Sequence, residues 1–184
     1  MDWRTVMVSA IIPLAGVWRF SLDLANVGEA SEWFRLDFND DAWLQVHVPS
    51  NWDFYLPELM GYTGVGWFRR TFIPFQTWAE KRLLLKFEGV NYSMKVWVNG
   101  VLVGSHEGGF TPFEFDITNK VRPSESNLIS VKVDNLPGED RVPSSLTGWW
   151  NFGGIYRDIY IEVKNDPYID NISITAQPIG NESK

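Results

Sequence analysis

Hydrophobic residues in this chain recur at every second position, and no stretch sustains the ~3.6-residue recurrence of a helix for ten residues or more. Alternation sends successive side chains to opposite faces, so each run predicts a strand with one dry and one wet side. Trp18, Phe20 and Leu22 oppose Arg19 and Ser21. Leu83, Leu85 and Phe87 alternate with Leu84, Lys86 and Glu88, and Tyr92, Met94, Val96 and Val98 with Ser93, Lys95 and Trp97. Phe113, Phe115 and Ile117 oppose Glu114 and Asp116; Ile129, Val131 and Val133 oppose Ser130, Lys132 and Asp134. Ile155, Ile159, Ile161 and Val163 complete the set, interrupted by Arg157. Asn99-Gly100 falls between two such runs and predicts a hairpin, because a type I′ turn needs positive φ at both central residues. Gly108-Gly109, Asn135-Leu136-Pro137-Gly138 and Gly153-Gly154 mark other joins. Many short strands at regular spacing predict an all-β, two-sheet jelly-roll β-sandwich. Two segments are less regular: 26–52, with a short helical turn expected near 29–34, and 137–154, a loop long enough to suggest function.

The 184 residues suit one domain. A net charge of −7 argues against a nucleic-acid partner, which needs a basic footprint. With no cysteine there is no disulfide, thiolate metal site or cysteine nucleophile, and two histidines, His47 and His106, cannot make an all-histidine metal site. No metal or cofactor is expected. No apolar run approaches the ~18 residues of a membrane span, so no membrane partner is expected either. The start is read as strand rather than leader, since Pro13 and strand-like sequence follow the short apolar Val6-Met7-Val8.

Candidate chemistry is sparse. Glycoside hydrolysis needs two carboxylates flanking one bond. Most acidic residues here, such as Glu88, Glu114, Asp116, Asp134, Asp158 and Glu162, fall on predicted wet faces, and Glu139-Asp140 reads as a surface turn. No nucleophile elbow accompanies either histidine. Residues 37–41 lack the glycine and terminal glutamate of a calcium loop. Three Asn-x-Ser/Thr sequons begin at Asn91, Asn171 and Asn181. The conspicuous resource is aromatic: 10 Trp, 12 Phe and 6 Tyr, most of them at alternating core positions, with Trp97 and Trp149-Trp150 set apart. Trp97 lies on a face otherwise held by Ser93 and Lys95, so it covers a second surface, is capped by a loop, or meets another domain. Trp149 and Trp150 suit either a platform for a sugar ring or a plug for the sandwich, alternation predicting one ring in and one out.

Several stretches together resemble one family. Leu14-Ala15-Gly16-Val17-Trp18-Arg19-Phe20 is similar to the opening strand of the sugar-binding domain of glycoside hydrolase family 2, whose members include β-galactosidases, β-glucuronidases and β-mannosidases. Asp41-Ala42-Trp43, then Val46, Val48-Pro49 and Trp52, resembles its next signature, and Gly66-Trp67-Phe68-Arg69-Arg70-Thr71-Phe72 its central strand. Phe87-Glu88-Gly89-Val90, Asn99-Gly100, Val103-Gly104, Gly108-Gly109-Phe110-Thr111-Pro112-Phe113, Asp116-Ile117-Thr118 and Asn127-Leu128 follow in order. Trp150-Asn151-Phe152-Gly153-Gly154-Ile155-Tyr156-Arg157-Asp158 closes the series.

The resemblance implies a galactose-binding-domain-like jelly roll over 13–166, with 1–12 a leader or start segment and 167–184 a linker or the start of a next domain; 168–174 alternates as a linking strand would. It implies a non-catalytic domain that shapes the substrate pocket of a retaining glycosidase. The catalytic glutamates would belong to a (β/α)8 barrel reached through an immunoglobulin-like domain, and these domains and a carbohydrate substrate are the implied partners. The alternative is a free-standing carbohydrate-binding module. Some members place an acidic residue just before the final aromatic pair; Gly148 stands there in this chain. Tyr62, Trp149, Trp150 and Asn151 are the residues expected at the rim facing substrate and barrel.

Overall fold

A computed structural model describes residues 10–142, 144, 149–165, 167–168 and 173–176. Its twelve strands are β1 (Ala10–Pro13), β2 (Gly16–Leu22), β3 (Leu44–Val48), β4 (Val65–Phe72), β5 (Arg82–Phe87), β6 (Val90–Asn91), β7 (Ser93–Val98), β8 (Val101–Glu107), β9 (Phe113–Asp116), β10 (Asn127–Asp134), β11 (Gly154–Ile155) and β12 (Ile159–Lys164). They form a four-stranded sheet ordered β1-β12-β5-β9, a six-stranded sheet ordered β3-β2-β4-β10-β7-β8, and a short β11-β6 pair. Every described pairing is antiparallel. The fold is the jelly-roll sandwich, and among the described residues helical structure is confined to single 3-10 turns.

Alternation explains the core directly. Trp18, Phe20, Phe68, Val96, Ile129 and Val131 from the six-stranded sheet meet Leu83, Leu85, Phe87 and Ile161 from the four-stranded one, all nearly or fully buried. Burying each such side chain is worth about 1.5–3 kcal/mol. The Asn99-Gly100 hairpin forms between β7 and β8, with φ of 52° and 80°, as a type I′ turn requires.

One local expectation is met and two are revised. Residues 28–34 form the expected short turn without continuing into a helix, through bonds such as Ser31 N–H to the Val27 carbonyl and Glu32 N–H to that of Glu29. Ile155 and Ile159 do not share one strand: β11 ends at Ile155 and β12 begins at Ile159, so alternation lapses across 156–158. Arg157 therefore leaves the apolar face, lies exposed, and donates to the Phe110 carbonyl at 3.1 Å.

Trp97 is covered by a loop. Residues 23–43 fold over the outer face of the six-stranded sheet, where Phe34 stacks on Trp97 at 5.1 Å and 3° and Trp33 meets Trp67 edge-on at 6.0 Å. Trp43 and Phe34 join Trp33 in closing over Val65, Trp67 and Trp97. Arg69, 3% exposed, ties this cover down by donating to the Phe38 and Arg35 carbonyls and pairing with Asp40. Asp23 anchors its start, accepting from Val27 N–H, Gly28 N–H and Trp67 Nε1.

Candidate functional site: an aromatic rim on buried asparagines

Two segments meet at one edge of the sandwich, 49–64 and the described residues of 135–155. They are joined by backbone hydrogen bonds, Ser50 N–H to the Ile155 carbonyl at 2.9 Å and Trp52 N–H to that of Gly153 at 3.0 Å. Trp52 is wholly buried beneath the junction. A Cβ on Gly153 would lie 2.0 Å from Trp52 Cζ2, so glycine alone lets the strands approach the indole this closely. The first loop holds its shape through Asp53, whose Oδ1 accepts from Gly61 N–H at 2.8 Å, and through single 3-10 turns at Trp52–Phe54 and Pro57–Leu59.

Three asparagines form one clamp, in which Asn135 bridges the two segments and Asn91 and Asn151 brace the second. Asn135, fully buried, accepts from Gly64 N–H at 2.8 Å through Oδ1 and donates through Nδ2 to the Asn151 carbonyl at 2.6 Å. Asn151 answers by donating Nδ2 to the Asn135 carbonyl, while its Oδ1 accepts from Asn91 Nδ2 at 2.8 Å. Asn91 also donates to the Phe152 carbonyl at 2.6 Å. Buried amides are costly unless paired, so this mutual arrangement fixes where both loops sit. The sequon asparagine at 91 is thus 5% exposed and engaged in the clamp; the sequons at 171 and 181 lie outside the described residues.

Aromatic rings project from this base. Phe54 and Phe152 stack at 5.9 Å and 28°, and Phe152 and Trp150 at 6.1 Å and 10°. Trp150 reaches over Gly61, whose ideal Cβ position is 3.5 Å from its Cζ3. Phe54, Met60, Trp149 and Trp150 are 64–70% exposed. Of the expected site residues, Trp150 and Asn151 join the same assembly, Trp150 as an outward ring and Asn151 as part of the clamp. Trp149 is exposed beside them, so the adjacent indoles do not divide one in and one out: the segment is not a strand and parity does not apply. Tyr62 is half-buried, edge-on to Trp52 at 5.7 Å, with its hydroxyl donating to the Val65 carbonyl at 3.2 Å. Gly148 lies outside the described residues.

Polar groups at this edge are largely used internally. Trp52 Nε1 donates to the Tyr62 carbonyl at 3.2 Å, and the Tyr156 hydroxyl donates to Gly109. Burial pushes the phenols of Tyr55, Tyr62 and Tyr156 above their ordinary range, so all three stay protonated donors near neutrality. Asp53 Oδ2 and Asn91 Oδ1 are buried without a hydrogen-bond partner. What the arrangement offers outward is ring surface on a stiff base, suited to contact and shaping. Glu139 and Asp140 occupy an exposed turn. His47 is exposed on β3, and His106 stacks on Phe113 at 3.8 Å. Among the described residues no group of three or more His, Asp or Glu could hold a metal ion, and no helix is long and apolar enough to cross a membrane.

Sequence reasoning missed Phe54, Phe152, Asn91 and Asn135 as site members. The two asparagines drew notice as a sequon and a turn; nothing local distinguished Phe54, whose place is set by a contact across about a hundred residues of chain.

Comparison with known proteins agrees with this architecture. The family profile described as "Glycosyl hydrolases family 2, sugar binding domain" matches residues 11–165. A β-galactosidase of Thermoanaerobacter pseudethanolicus is 36% identical over 163 residues, covering 85% of this chain and 22% of that protein. A β-glucuronidase of Paenibacillus borealis is 28% identical over 198 residues, covering 96% of this chain and 33% of that protein. Among solved structures, a β-glucuronidase from an uncultured Clostridium species superposes with a TM-score of 0.76 at 27% identity, over 86% of this chain and 29% of that one. The chain thus spans between about a fifth and a third of the relatives it matches. With its profile match running through nearly the whole sandwich, it belongs to the sugar-binding domain family of the family 2 glycosyl hydrolases.

Proposed function

We propose that this chain is the non-catalytic sugar-binding domain of a longer retaining β-glycosidase, and that its aromatic rim packs on the catalytic barrel and forms one wall of the substrate pocket. One observation carries the reading: Phe54, Met60, Trp149, Trp150 and Phe152 present an apolar surface to solvent from a base that the asparagine clamp holds stiff. Contiguous exposed apolar surface of this kind marks a contact site. Relatives three to five times longer supply protein that would cover it. In this reading Trp149 and Trp150 contact barrel or substrate directly. Tyr62 and Asn151 hold the wall in place from behind.

The purified 184-residue chain, assayed with nitrophenyl β-galactoside and β-glucuronide, is expected to release product no faster than a protein-free blank. Turnover that persists through repurification overturns the proposal. Titration calorimetry with neutral sugars tests the partner reading: saturable binding lost in Trp150→Ala identifies a free-standing carbohydrate-binding module instead.

A further inference from the structure

Away from the rim, on the outer face of the six-stranded sheet, β3, β2 and β4 set Gln45, Arg19 and Arg69 in one cross-strand row. Their neighbour Phe20 points the other way, into the core against Trp52 and Phe68, so this face and the rim loop are separated by the sheet. Arg19 and Arg69 stand directly opposite one another, and like charges so placed destabilise a sheet unless compensated. The compensation is partial. Asp40 Oδ2 lies 3.4 Å from Arg69 Nε, which makes no hydrogen bond of its own, and the other two nitrogens of that guanidinium are held by the Phe38 and Arg35 carbonyls. Arg19 is half-buried, and its one described hydrogen bond, to the Trp43 carbonyl, is long at 3.4 Å.

These two arginines, with Arg70, Val17, Asp40, Gln45 and Thr71, line a cleft of about 460 Å³. That volume falls within the ~300–1,000 Å³ typical of small-ligand sites. In a chain of net charge −7, a cleft with three guanidiniums and one carboxylate is a local reversal of sign; the third, that of Arg70, is held by the Leu14 and Ala15 carbonyls. A guanidinium with free donors matches the geometry of a planar or tetrahedral oxyanion and binds it by charge-assisted hydrogen bonds.

We propose that this cleft is a second saccharide site, taking a sugar ring that carries a carboxylate or a sulfate, with Arg19 as the anion ligand. Gln45, Asp40 and Thr71 supply partners for ring hydroxyls, and Val17, 50% exposed, supplies an apolar patch for the C–H face. Arg69 is a fixed positive charge behind Arg19, already committed to the loop over Trp97. The saccharide half of the assignment rests on the carbohydrate role proposed above; the anion half rests on the arginine row alone.

The test is calorimetric titration of the 184-residue chain at low ionic strength with methyl β-glucuronoside, galactose 6-sulfate, glucose, sodium acetate and sodium sulfate. At least one of the two acidic sugars is expected to bind saturably, and the one that binds more tightly names the anion. Glucose is expected to bind at least ~10-fold more weakly, since a charge-assisted pair is worth about that factor. Arg19→Gln is expected to weaken the acidic sugar by a similar ~10-fold or more, Arg19→Lys to restore part of it, and Leu102→Ala, on β8 at the far edge of the same sheet, to leave it unchanged. The thermal midpoint of each variant monitors folding. Three results overturn the proposal: no saturable binding of either acidic sugar; binding that survives Arg19→Gln; or acetate and sulfate binding as tightly as the sugars, which leaves an anion site without saccharide recognition. Hydrolysis by the isolated chain would sink the domain role while leaving the anion titration intact, so the two failures are told apart.

Discussion

Two aromatic clusters of similar make-up have opposite fates in this molecule. On the outer face of the six-stranded sheet, Trp67 and Trp97 are sealed beneath Trp33, Phe34 and Trp43. At the sandwich edge, Phe54, Trp150 and Phe152 stack on one another with their outer surfaces in solvent. The difference lies in what the polar residues around each one hold. Arg69 and Asp23 bind a cover down onto the first cluster. The asparagines 91, 135 and 151 bind only the footing of the second. Ring content alone therefore does not say whether a patch is core or contact surface; the direction of the surrounding hydrogen bonds does.

That contrast can be broken experimentally. Removing the indole from the sealed cluster, in Trp67→Ala, is expected to cost about 3–5 kcal/mol in a urea or guanidinium unfolding curve. It also leaves Asp23 Oδ2 without one of its two donors. Cutting the footing of the rim, in Asn135→Ala, is expected to cost about 1–3 kcal/mol, because Gly64 N–H and the Asn151 carbonyl lose partners in a buried place. The same variant should shift the indole N–H resonances of Trp149 and Trp150 while leaving that of Trp67 in place. Glu29→Gln probes an outer tether of the cover, the pair with Lys95 at 2.7 Å. Both side chains are partly exposed, so an effect of about 0.2–1 kcal/mol that fades in high salt is expected. Smallest of all, Trp150→Ala should change stability by no more than about 0.5 kcal/mol. A loss as large as that of Trp67→Ala would mean that the rim is core after all, and the comparison would fail.

Strands and their facing were legible in the sequence wherever pairing is regular, because alternation reports burial residue by residue: Phe20, Phe87, Ile129 and Val131 all lie where it puts them. It stopped being informative where the chain leaves the ladder. Arg157 and the Trp149-Trp150 pair were assigned by parity to positions that parity does not govern, since neither segment is a strand. The rim was half legible. Trp150 and Asn151 stood out within a motif, whereas Phe54 and Asn135 enter through contacts between distant segments that no local pattern encodes. Tyr62 was noticed, and the structure gives it a footing rather than an outward face, with its hydroxyl on Val65 and its ring on Trp52.

The asparagine clamp grips backbone carbonyls and amides and its own members, and no ring of the rim takes part in it. The holder is consequently independent of what it holds. Exchanging Phe54, Met60, Trp149 or Trp150 for another side chain removes none of the clamp's hydrogen bonds, so this edge is well placed to diversify. A lineage, or a protein engineer, can retune the surface presented there by point substitution while the sandwich and its loops stay where they are.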